Sequence, residues 1–116
     1  FDPSSTARNL IAWVTHSIYA FEGAADFTGG IARLTGDRLQ SYREMITGLP
    51  RSIRDHTTNQ PIFGSDGKLY FTQGAMSAMG AADPTWGNRA EHLLSAAVLK
   101  LDTAAVVARR EMGGGL

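Results

Sequence analysis

The chain has 116 residues, 43% of them hydrophobic, enough for one compact domain or for a section of a larger one. Eleven Lys and Arg balance eleven Asp and Glu, which leaves no electrostatic footprint for nucleic acid or anionic lipid. Cys is absent, which excludes disulfides, thiolate catalysis and Cys-ligated metals, and no apolar run approaches the roughly 18 to 20 residues of a membrane span.

Short apolar runs separated by Gly, Pro, Asp and Asn set the rhythm of strands and turns, so the expected class is all-β. Leu10 to Tyr19 is rich in β-branched and aromatic residues and reads as a strand. Asp26 to Gly30 reads as a turn, and Ile31 to Thr35 alternates apolar and polar as a half-buried strand does. Gly36-Asp37 turns the chain into a returning strand over Leu39 to Ile46. Ile62-Phe63, then Gly64-Ser65-Asp66-Gly67, then Lys68 to Thr72 predict a hairpin, because Asp-Gly between apolar segments suits a tight turn. Leu69 and Phe71 belong on one face of it and Tyr70 on the other.

Gly74 to Arg89, with few β-branched residues, reads as a long loop. Arg89 to Lys100 has the composition and spacing of a helix, while Ala97 to Asp102 also suits a strand that pairs with the hairpin. Thr103 to Leu116 is expected to be a loosely packed tail. Two hairpin-like units at this separation fit blade spacing in a β-propeller, roughly 40 to 50 residues per blade. About two to three blades are then present, where closed propellers have ~4 to 8, so the expectation is a β-propeller fragment. Its regions are 1–49, 50–102 and the tail 103–116.

The densest polar cluster is Gly48 to Gln60, and within it Asp55-His56 stands out. A histidine titrates near neutrality and can take a proton from a hydroxyl. The same residues also serve as turn and capping groups in a solvated loop, and composition leaves both readings open.

Gly48-Leu49-Pro50, Asp55-His56, Phe63 to Phe71 and Gly74, in that order and at those separations, resemble one blade of the soluble quinoprotein glucose/sorbosone (aldose sugar) dehydrogenases. The stretch before it, including Gly30 to Leu34, resembles the preceding blade, and Ala97 to Asp102 resembles a later strand, so the likeness covers roughly Phe1 to Asp102. The resemblance implies a six-bladed propeller using pyrroloquinoline quinone (PQQ). It implies that His56 is the catalytic base taking the sugar's hydroxyl proton while a hydride passes to the quinone, and that Asp55 lines the substrate site. It places the cofactor contacts and any calcium ligands in other blades, so no metal ligand is expected in this chain. It further implies a periplasmic or secreted enzyme, with a sugar substrate and the remaining blades as partners, no nucleic acid and no membrane span.

One position departs from the glucose dehydrogenase pattern, in which an Asp follows the glycine matching Gly74 and orients the histidine. Here Ala75 stands there. Orientation then falls to Asp55, Asp83 or Gln73, or the base is less firmly held. That departure favours a second reading, a catalytically silent propeller segment acting as a binding or scaffold module. A stand-alone α+β domain is a third and rests on the Arg89 to Lys100 helix. His16, in an apolar strand pattern, reads as a satisfied core or edge histidine, and Met76 and Met79 as core filling. Trp86, in a polar loop, faces a ligand more readily than Trp13.

Overall fold

The structure is a computed structural model, and it describes residues 1–18, 25–52 and 56–112. The described residues are β-rich: two antiparallel three-stranded sheets and one short α-helix. Strands β1 (Leu10–His16), β2 (Gly29–Gly36) and β3 (Ser41–Leu49) form the first sheet in chain order. Strands β4 (Ile62–Phe63), β5 (Leu69–Gln73) and β6 (Ala97–Leu101) form the second, followed by helix α1 (Thr103–Glu111).

The first sheet is built by local pairing. β1 pairs with β2 over seven residues, from Leu10 opposite Gly36 to His16 opposite Gly30. β2 pairs with β3 from Thr35 opposite Ser41 down to Gly29 opposite Leu49, with irregular register around Ile31. The period-2 alternation sends Ile11, Trp13, Ile31 and Met45 inward, where they meet Leu69, Phe71 and Val106 in a common core. Burial of such side chains is worth roughly 1.5–3 kcal/mol each, which fixes the register of the strands that carry them.

The β4–β5 hairpin turns through Gly64 to Gly67 as the Asp-Gly signal predicts. Gly67 has φ +75°, a conformation costly for residues with a Cβ, and its amide donates to Gly64 O at 3.0 Å. Leu69, Phe71 and Gln73 are buried in alternation with Tyr70 and Thr72.

Two segments differ from the sequence expectation. Arg89 to Lys100 is not a helix: residues 89–96 are irregular, and Ala97–Leu101 pairs along β5 from Gln73 opposite Ala97 to Leu69 opposite Leu101. A helix there would leave the backbone of β5 unpaired on one side, so the tertiary ladder overrides a weak preference. Thr103–Glu111, read from the sequence as a loose tail, is helix α1. Asp102 caps it by accepting from Ala105 N at 3.1 Å, and Val106 is buried in the core. Two arginines dock it: Arg110 Nε donates to Met45 O at 3.2 Å, and Arg43 Nη2 donates to Arg110 O at 2.9 Å. No helix among the described residues is long and apolar enough to cross a membrane.

Candidate functional site

Residues 50–52 and 56–58 meet the loop from Gly74 to Ala96 at one end of the second sheet, and His56 stands where they touch. Asp55, expected beside the substrate, lies outside the described residues. His56 is half-buried. Its Nδ1 lies 3.1 Å from the backbone carbonyl of Ala75. A carbonyl only accepts, so Nδ1 carries the hydrogen, and in the neutral ring the lone pair sits on Nε2. The same carbonyl accepts from Ser52 Oγ at 2.9 Å, and Ser52 N donates to His56 O at 3.3 Å. Ring and main chain of His56 are therefore both held.

Neither described candidate for orienting the histidine does so. Gln73 accepts from Thr58 Oγ1 at 2.8 Å and donates to Pro50 O, both buried contacts. Asp83 caps the 3-10 turn Pro84–Trp86, accepting from Thr85 N at 2.7 Å and Thr85 Oγ1 at 2.5 Å. Those two bonds, the hydroxyl's first, hold its carboxyl below the usual range. The orienting group is instead the main chain of Ala75, whose side chain is irrelevant to the task. A sequence search for a carboxylate therefore could not find it.

Gly74 explains how Ala75 comes so close. Its amide donates to Thr57 O at 3.0 Å and its carbonyl accepts from Ala96 N at 3.1 Å. A Cβ on it would lie 2.7 Å from both Cα and C of His56, backbone atoms that cannot swing aside. Only glycine lets the two segments approach this closely.

Trp86 packs on the histidine ring, with centroids 4.4 Å apart and planes at 58°. Arg89 fixes the tryptophan's position by donating from Nη1 to Trp86 O at 2.7 Å and pairing through Nη2 with Asp26 at 2.7 Å. Trp13, in contrast, is core, 6% exposed. The two methionines also part company: Met76 is buried, whereas Met79, expected to fill core, is fully exposed with φ +54°.

Sequence reasoning missed Glu91. Its Oε2 accepts from Met76 N at 3.1 Å and its Oε1 from Ser77 N at 3.0 Å. The hydroxyls of Ser77 and Ser95 also donate to it, each at 2.5 Å. Partial desolvation pushes its pKa up, but the hydroxyl and amide donors outweigh it and hold the carboxyl down at about 2. Glu91 thus ties both ends of the loop together behind Ala75. Serines spaced around an acid in a Gly-rich stretch were the available signal, and it is a faint one.

The remaining histidines are engaged elsewhere. His16 Nε2 pairs with Glu44 Oε1 at 2.7 Å, and Tyr42 OH donates to Glu44 Oε2 at 2.5 Å, on an exposed strand face. His92 Nδ1 accepts from Leu94 N at 3.4 Å, and its ring meets Phe27 edge-on at 5.3 Å.

Among the described residues, the basic groups near His56 are also committed. Arg51, 2% exposed, donates from Nη1 to Ser52 O at 2.5 Å and from Nε to Ala25 O at 3.3 Å, and Arg89 pairs with Asp26. PQQ carries three carboxylates, and these two arginines do not fit as their cradle. Comparison of the chain with protein-family models, with curated proteins and with solved structures gives no match. The arrangement around His56 can accept one proton at Nε2 beside an aromatic wall.

Proposed function

We propose that the chain is part of a PQQ-dependent aldose or sorbosone dehydrogenase of six-bladed propeller architecture, exported to the periplasm or secreted, in which His56 is the base. The observation that carries this reading is the Nδ1 bond to Ala75 O. It fixes the tautomer that leaves Nε2 basic, and among the described residues no partner occupies Nε2. In the protein's share of the reaction, the sugar O–H bond breaks and its proton goes to Nε2, while Trp86 offers an apolar face for the sugar's C–H surface. A quinone, held by parts of the enzyme other than Arg51 and Arg89, would serve as the hydride acceptor.

The two sheets would be parts of neighbouring blades. The apolar side chains they share in one core support that reading. One observation favours the silent binding or scaffold segment: a neutral carbonyl stabilises an imidazolium less than the carboxylate it replaces.

The test is His56→Gln in the intact parent enzyme, which keeps a polar group but removes the basic nitrogen. Sugar oxidation should fall by about 10² to 10⁴ in kcat, the usual worth of one placed general base. Quinone binding should be retained. Activity within roughly twofold of the parent would sink the assignment of His56.

A further inference from the structure

A second polar site lies on the first sheet, with none of the His56 cluster among its residues. Arg33 and Arg43 are direct cross-strand partners, and so are Thr35 and Ser41 in the next row on the same face. Cross-strand neighbours of this kind stand about 5 Å apart at Cβ, and like charges so placed repel. No carboxylate pairs with Arg33 or Arg43 among the described residues. Arg33 Nε is buried and has no hydrogen-bond partner, an arrangement that ordinarily costs stability.

The four residues, with Tyr42, line a cavity of about 210 Å³. Tyr42 gives its hydroxyl to Glu44. The cavity is therefore lined by two arginines and two hydroxyl residues, with no acid among them, and Arg43 also donates from Nη2 to Arg110 O at 2.9 Å. Arg33 is held in place from the side: its Cζ lies 5.9 Å over the Trp13 ring, its partner in the β1–β2 ladder. Asp2, in the adjoining cavity of about 340 Å³ that Arg33 also borders, feels the Arg33 charge but has its oxygens engaged by other donors. Its oxygens accept from Trp13 Nε1 at 2.9 Å and from Ser4 N and Oγ at 2.9 and 2.6 Å.

We propose that Arg33, Thr35, Ser41 and Arg43 form a binding site for a tetrahedral dianion, phosphate or a phosphate monoester. Two positive charges match a dianion, and four donor side chains on one sheet face match an oxyanion with three or more oxygens. A single carboxylate is satisfied by one arginine fork and would leave the rest unused. Such an anion removes the Arg–Arg repulsion and gives the orphaned Nε an acceptor.

The test is a titration of the 116-residue chain with inorganic phosphate at constant ionic strength held by chloride, followed by backbone amide shifts. Parallel titrations use glycerol phosphate and acetate. Phosphate should cause saturable shifts over 33–35 and 41–43, and acetate should bind far more weakly. Arg33→Gln should weaken phosphate by at least about tenfold, the worth of one charge-assisted bond, and Ser41→Ala by roughly twofold to tenfold. Tighter binding of glycerol phosphate identifies an esterified ligand, and the reverse order identifies free phosphate. Equal shifts with acetate or chloride, or unchanged affinity in both variants, overturns the site. If Arg33→Gln does not fold, Ser41→Ala decides alone, because Ser41 is exposed and its loss leaves the sheet intact.

Discussion

The first sheet and the loops beside the second are held by opposite means. In the first, strands of seven to nine residues pair in chain order, and apolar residues such as Trp13, Ile31 and Met45 lock the register. Around His56 the chain is irregular, and what fixes it is a set of hydrogen bonds in which Ser52 donates, Gln73 both donates and accepts, and Glu91 and the Ala75 carbonyl accept. Apolar packing tolerates small shifts because it has no direction. A proton acceptor needs direction, and directional bonds supply it.

Substitution of the two tryptophans should break this contrast most visibly. Trp13→Ala empties a core position and should cost about 3–5 kcal/mol in a denaturant melt. Trp86→Ala should cost roughly 1 kcal/mol, since it removes a partly exposed ring contact. Similar losses for the two would show that the loop region depends on packing as much as the sheet does.

Gln73→Leu probes the polar side at intermediate strength. Leu fits the inward face that Leu69 and Phe71 also occupy, yet it strands the Thr58 hydroxyl and the Pro50 carbonyl. The expected cost is about 2–3 kcal/mol, despite the gain in hydrophobicity. A neutral or stabilising result in the same melt would mean that apolar burial governs here too.

Glu91 gives the smallest effect, and a pH-dependent one. Its folded pKa of about 2 lies below the ordinary 4.5. Its contribution is therefore full above pH 4.5 and is lost as pH falls from there towards 2. Because the residue is exposed, solvent screening limits the loss to about 1 kcal/mol. Amide exchange of Met76 and Ser77 should accelerate over that window, beyond the intrinsic pH trend, before the first sheet responds. A Glu91→Gln protein showing the same acid profile would assign the transition to another group.

The sequence by itself determined the strands before β6. β-branched and aromatic content marked β1, alternation marked β2, Asp-Gly placed the β4–β5 hairpin, and Trp86 was marked as the aromatic apart from the core. These signals are local, carried by periods of two residues or by turn chemistry, and need no partner to be read. His56 stood out too, as the only histidine of a dense polar loop.

Only the tertiary structure decided what holds that histidine. The Ala75 carbonyl is a main-chain group present at every position, so no residue type announces it, and its approach depends on Gly74 lying against the His56 backbone. The helix-like stretch before β6 was settled in the same way, by the free edge of β5 demanding a partner. So was α1, whose Val106 has somewhere to be buried only once the two sheets have met. Each of these outcomes turns on a backbone group or an apolar surface from a distant segment, which a one-dimensional pattern does not contain.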